Sequence, residues 1–210
     1  MNKKIQLLRN VLVCCCSLAA LAGCAGRQAV PVADYRLDEG SGANIISVSD
    51  VMVFFHEQPS RAVHVRDYLY LGPLEINVMS KHRHYLWLGE WSTIDRIDGS
   101  QADLQDAVIY LFIDGVPVEL SDRADADDLT MTDLPYHGPV STTGNYFFRV
   151  SRDLFHKWSQ AGSAEIKVVH GNREKVYRLW NGDAQALAAF LGDNQRLDAD
   201  SELIGNRGAQ

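Results

Sequence analysis

Cysteine is confined to the first 24 of the 210 residues, at Cys14, Cys15, Cys16 and Cys24. The chain beyond Cys24 can therefore form no disulfide among its own residues and can carry out no thiol chemistry. Its stability must come from a packed core, and a segment of this length can bury one within a single domain.

Basic residues are also scarce, because 20 Lys and Arg face 27 Asp and Glu. Nucleic-acid-binding proteins need clustered Lys and Arg, so the composition argues against DNA or RNA as a partner. The sequence has no G-x-S-x-G, no P-loop and no dinucleotide-binding fingerprint. We therefore expect a protein that is not an enzyme and that binds no cofactor.

The N-terminus, in contrast, has a clear pattern. Lys3, Lys4 and Arg9 precede Val11–Gly23, which is a stretch of thirteen uncharged and mostly apolar residues. A helix that spans a membrane needs about 20 residues, so this pattern predicts a signal peptide. It ends in Leu21–Cys24, a Leu-Ala-Gly-Cys sequence that resembles the lipobox of bacterial lipoproteins.

The resemblance implies cleavage before Cys24 and acylation of the Cys24 thiol and of the new amino group. Several acyl chains together hold a protein firmly on a membrane. Residue Ala25 follows, and the family's inner-membrane retention signal is usually an Asp at that position. The resemblance therefore implies an outer-membrane anchor that faces the periplasm. Loss of the signal peptide would leave 17 basic and 27 acidic residues, a net charge of −10.

The sequence predicts one domain behind this anchor. Gly, Pro, Asp and Ser occur without periodicity up to Gly42, which is typical of a flexible linker. The predicted segments are a signal peptide (1–23), a lipidated flexible tether (24–42), a single β-rich domain (43–192) and a frayed tail (193–210).

Period-2 alternation between turn residues predicts about nine short strands. Asp114-Gly115 predicts a hairpin, and Pro117 in its second strand predicts a sheet edge. Two short helices are predicted, one capped by Ser151 and ended by Gly162, the other capped by Asp183. The fold class is mainly β: an antiparallel β-sandwich or partly closed barrel, with two short helices in the C-terminal third. The predicted strands are Ile45–Phe55, Ala62–Leu71, Leu74–Val78, Arg83–Trp91, Ala107–Ile113, Val116–Leu120, Asn145–Val150, Ala164–His170 and Lys175–Trp180, with Gly72-Pro73 breaking the second from the third.

The long loop Ser121–Gly144 is the first candidate site, because loops of this length are often functional. Its acidic half and its Pro-Tyr-His half suit a protein partner, with Tyr136 as the anchor; plain mobility is the alternative. We expect such a loop to contribute little to folding. If the partner binds elsewhere, we expect it on the strand face that carries His64, Arg66, Tyr68 and Tyr70. The candidate partner-binding residues of the loop are Asp125, Asp127, Asp128, Tyr136 and His137.

His82 and His84 form the second candidate site. An H-x-H spacing on a strand places both imidazoles on one face, where they could share a metal ion. The alternative is a basic, solvated strand end.

These patterns favour a membrane-tethered periplasmic lipoprotein whose β-domain binds an unknown envelope protein or assembly. The alternative is a carrier or sensor that holds a small apolar ligand or a metal in or beside the sandwich.

Overall fold

The computed structural model describes residues 31–58, 65–92, 104–129, 131–138, 144–182 and 184–192. Within them the chain forms eleven strands and, in its C-terminal region, two α-helices. The strands are β1 (Ala33–Asp38), β2 (Ala43–Val48), β3 (Met52–Gln58), β4 (Val65–Val78), β5 (Lys81–Ser92), β6 (Val108–Ile113), β7 (Val116–Glu119), β8 (Arg123–Ala124), β9 (Gly144–Arg149), β10 (Ala164–His170) and β11 (Arg173–Asn181). The helices are α1 (Arg152–Ser159) and α2 (residues 184–192).

All eleven strands belong to one antiparallel sheet. Nine of them follow the order β7-β6-β10-β11-β3-β4-β5-β9-β8. The other two lie beside this path, with β2 paired to β4 and β1 paired to β2. The sheet curls into a half-barrel, so the predicted mainly antiparallel β class is confirmed. The predicted hairpin turns at Asp114-Gly115, where both residues have positive φ. Its second strand, β7, lies at the end of this order, as Pro117 predicts. The tight β4–β5 turn was not predicted, because its positive-φ residues are Met79 and Ser80 rather than glycine.

Strand β4 is the long central element. It pairs with β5 along one edge, and its other edge is shared by β3 near the start and β2 near the end. The sequence predicted a break at Gly72-Pro73, and that prediction is wrong. The strand continues because Pro73, which has no N–H, lies where one neighbouring strand gives way to the other.

The helices cover one face of the sheet. Ser151 caps α1 as predicted, since its side chain accepts a hydrogen bond from the N–H of Leu154. Leu154, Phe155 and Trp158 are buried, and Phe155 meets Phe190 of α2 edge to face at 5.3 Å. These three residues form the core face of α1, and the helix ends at Ser159, before the predicted end at Gly162.

The predicted boundary at residue 42 is wrong, because β1 lies inside the predicted tether. It pairs with β2 from Ala33 opposite Val48 to Asp38 opposite Ala43. The sequence did not predict β1, because its residues are mostly polar. The carboxylate of Asp38 accepts hydrogen bonds from the backbone N–H and hydroxyl of Thr132, a residue 94 positions away.

Candidate interaction face

The sheet carries a group of aromatic side chains on the face opposite the helices, over β11, β3, β4 and β5. Tyr68 pairs in register with Phe55 on one side and with Trp91 on the other, so the three side chains share a face. The alternation of β4 sends Leu69 into the core, where it is fully buried. We call this group the aromatic face: Phe55, Tyr68, Tyr70, Trp91 and Trp180.

Three of these rings form a continuous stack. Tyr68 lies between Trp91 and Trp180, with centroid distances of 5.4 and 5.2 Å and interplanar angles of 20° and 27°. Phe55 meets Trp180 edge to face at 5.9 Å, and Tyr70 lies 6.5 Å from Tyr68. Stacked and edge-to-face pairs each add about 0.5–1.5 kcal/mol beyond burial, so the group holds its own geometry.

A cation caps the stack. The guanidinium carbon of Arg66 lies 5.5 Å from the Phe55 centroid and 5.6 Å from the Trp180 centroid. Arg66 also binds Glu57 at 2.8 Å. Hydrogen bonds with Tyr68 and Glu57 raise the pKa of Arg66, so the guanidinium remains charged at any physiological pH.

A break in register exposes one end of the face. The pairing of β11 with β3 shifts between Leu179 and Asn181, and such a bulge places an extra residue outside the regular alternation. Trp180, the residue at this shift, is 55% exposed and stacks on Tyr68. Leu179 pairs with Phe54 and therefore points to the side of the sheet that the helices cover. An exposed tryptophan beside an arginine suits binding.

The predicted fallback surface and the aromatic face overlap. Arg66, Tyr68 and Tyr70 lie together there, while His64 lies outside the described residues. Sequence alternation found the β4 part of this face. It did not find Trp91 or Trp180, because their position depends on strand order and on the bulge.

The prediction that Tyr136 is an exposed anchor is wrong. Its side chain is 5% exposed and stacks on Trp87 at 5.0 Å. Its hydroxyl donates to the carbonyl of Pro73 and accepts from the N–H of Val48, and burial raises its pKa. The ring occupies the space above Gly72, where a Cβ atom would lie 2.5 Å from the ring. Tyr136 thus fills the junction between β2 and β3 on β4.

Other described residues of the loop are also held by contacts with the domain. It contains β8 and a 3-10 turn at Ala126–Leu129, and Leu129 is buried. Thr132 holds Asp38, and its hydrogen bonds lower the pKa of that carboxyl to about 2. Plain mobility, the alternative for this loop, does not hold for its described part.

The acidic half and His137 do not join Tyr136 in one site. Asp125, Asp128 and His137 are exposed, and the side chain of Asp127 lies outside those described. Asp128 pairs with Arg149 at 3.0 Å. Partner binding by these residues stays a prediction, but Tyr136 cannot be its anchor because that side chain is buried.

His82 and His84 do share a face, and both approach Glu75, which is 3% exposed. The Nδ1 atom of His82 lies 2.5 Å from Oε1 of Glu75, and Nε2 of His84 lies 3.1 Å from Oε2, with poor alignment for a hydrogen bond. Burial alone would raise the pKa of Glu75, but the two histidines outweigh it and lower that pKa.

The predicted metal site is not supported by this geometry. Within the described ranges, no group of three or more His, Cys, Asp and Glu side chains is arranged to hold a metal ion. The two imidazoles lie against opposite oxygens of one carboxylate. The solvated alternative is wrong for His84, whose side chain is 15% exposed.

Comparison with protein-family models, curated proteins and solved structures finds no match for this chain. No helix among residues 31–192, as far as they are described, has both the length and the apolar character to span a membrane.

Proposed function

We propose that this chain is a bacterial envelope lipoprotein without enzymatic activity, anchored through acyl chains on Cys24 in the outer membrane. Its β-domain is a binding module that contacts an envelope component through the aromatic face. The lipobox-like Leu21–Cys24 supports the anchor. The observation that supports the binding role is the exposed end of the stack, where Trp180 is 55% exposed.

The aromatic face suits binding more than catalysis. It offers large rigid rings, which lose little conformational entropy when a partner covers them, together with the guanidinium of Arg66, which is paired with Glu57. These features favour binding through an extended apolar surface over catalysis by a single reactive side chain.

Chemical labelling in intact envelopes tests this role. Because the signal cysteines would be removed and the Cys24 thiol would be acylated, Arg178→Cys provides a single free thiol on the face, since Arg178 pairs in register with Phe55 and its side chain is 77% exposed. Met79→Cys provides the matched control, because Met79 is 93% exposed at the β4–β5 turn. We expect a water-soluble maleimide to label both variants of the purified protein, and only Met79→Cys in envelopes. Equal labelling in envelopes would contradict a binding role for this face.

A further inference from the structure

Strand β1 lies at an edge of the sheet, because β2 is the only described strand that pairs with it. The carbonyl of Val32 faces β2, since it accepts a hydrogen bond from the N–H of Ser49 at 3.0 Å. In an antiparallel pair, the backbone groups of successive residues face alternate sides of the strand. The N–H and C=O groups of Ala33 and Leu37 therefore face away from β2, towards the outer edge.

The strands at the other ends of the sheet are poor templates for a further strand. In β7, the hydrogen bond from the N–H of Leu120 to the carbonyl of Ile109 implies that Pro117, which has no N–H, faces the outer edge. Strand β8 has only two residues. Strand β1 has six residues, and Tyr35 and Leu37 on one of its faces are 44% and 60% exposed. Long, apolar edges of this kind readily pair with another chain.

The sequence of β1 is self-complementary. If two β1 strands pair antiparallel about a two-fold axis at Tyr35, Ala33 of each copy lies opposite Leu37 of the other. Each such pair can exchange both of its backbone hydrogen bonds, because the groups of both residues face outwards. The same register places Asp34 opposite Arg36 of the other copy, at the kind of position where facing side chains lie closest. One register thus matches backbone groups, apolar side chains and opposite charges.

We infer that a second copy of this chain pairs with the outer edge of β1, in an antiparallel two-fold arrangement centred on Tyr35. Arg36 donates to the carbonyl of Asp133 within its own copy, and its guanidinium has further N–H donors for Asp34 of the other copy. Pairing through six residues covers little of the roughly 1,200–2,000 Å² that stable complexes bury, so the association is weak and reversible. An extended segment of another protein would use the same backbone groups, but the self-complementary charges favour a second copy.

Disulfide trapping of the purified full-length protein tests this pairing. Tyr35→Cys would place two thiols opposite each other across the axis, with Cα atoms about 5.5 Å apart, which a disulfide can bridge. Leu37→Cys is the matched control, because its two copies would lie four residues apart along the strands, roughly 13 Å, which is too far. We expect mild oxidation to form the Tyr35→Cys dimer several times faster than the Leu37→Cys dimer, although Leu37 is the more exposed residue. Wild-type protein measures the background from the native cysteines.

Charge reversal tests the register. In the Tyr35→Cys protein, Asp34→Arg should lower the dimer yield several-fold, because like charges then lie opposite each other, and adding Arg36→Asp should restore it. The melting temperature of these variants should change by only a few degrees, because the changes lie at a partly exposed edge.

Three results would overturn the inference. The first is equal trapping of Tyr35→Cys and Leu37→Cys, and the second is a loss of dimer through Asp34→Arg that Arg36→Asp does not restore. The third comes from repeating the oxidation in cell envelopes. If Tyr35→Cys is joined there to a different protein and not to a second copy, the edge of β1 binds that protein instead.

Discussion

Replacing Tyr136 with phenylalanine removes one hydroxyl that links three distant parts of the chain. The N–H of Val48 and the carbonyl of Pro73 would both lose their hydrogen-bond partner inside the protein. Each buried polar group left unpaired costs about 1–3 kcal/mol, so we expect Tyr136→Phe to lower the free energy of unfolding by about 2–6 kcal/mol. For a domain of this size, that corresponds to a fall in Tm of roughly 4–24 °C.

Denaturant unfolding followed by tryptophan fluorescence measures this loss, because Trp87 stacks on the Tyr136 ring. The midpoint should fall while the m-value stays unchanged. Tyr70→Phe is the matched control on the half-buried aromatic face, and we expect it to cost less than about 1 kcal/mol. An unchanged midpoint for Tyr136→Phe would refute the reasoning.

A double-mutant cycle tests whether the Tyr136 ring packs directly against Gly72. Gly72→Ala would place a Cβ atom 2.5 Å from the Tyr136 ring, and overpacking of this kind costs about 1–3 kcal/mol. The cost should largely disappear when Tyr136→Ala has already removed the ring. Purely additive effects would mean that the ring does not occupy the space above Gly72.

Three further predictions concern other parts of the chain. The pKa of Glu75 is lowered from its ordinary value of 4.5, so the ionised carboxylate stabilises the fold above pH 4.5 and this stabilisation is lost as the pH falls below that value. Glu75→Gln should therefore flatten the acidic part of the profile of Tm against pH. Replacing residues 123–139 with a short Gly-Ser link should unfold the domain or cost more than about 3 kcal/mol, because it removes the buried Tyr136 and Leu129, and a folded product with an unchanged circular dichroism melting curve would contradict this. Trp180→Ala should abolish protection of the aromatic face in envelopes but change Tm by only a few degrees, since Trp180 is more than half exposed.

Local signals in the sequence predicted much of the fold. Asp114-Gly115 specifies its turn, Pro117 specifies an edge, and Ser151 caps α1, all through contacts between near neighbours. These predictions are confirmed because turn and cap chemistry depends on few residues.

The failed predictions depend on residues far apart in the chain. The carboxylate of Asp38 can be buried at the end of β1 because Thr132 donates hydrogen bonds to it, and the Tyr136 ring can pack over Gly72 because glycine has no Cβ atom. A loop that is polar and aperiodic in sequence gives no local sign of such contacts. The exposure of Trp180 follows from a register shift between two strands, which no alternation pattern predicts.

The anchor at Cys24 is the central claim, and mass spectrometry of the N-terminal peptide of the purified protein tests it most directly. The account predicts a peptide that begins at Cys24 and carries the added mass of acyl chains on its thiol and amino group. A peptide that begins elsewhere, or an unmodified Cys24, would contradict it.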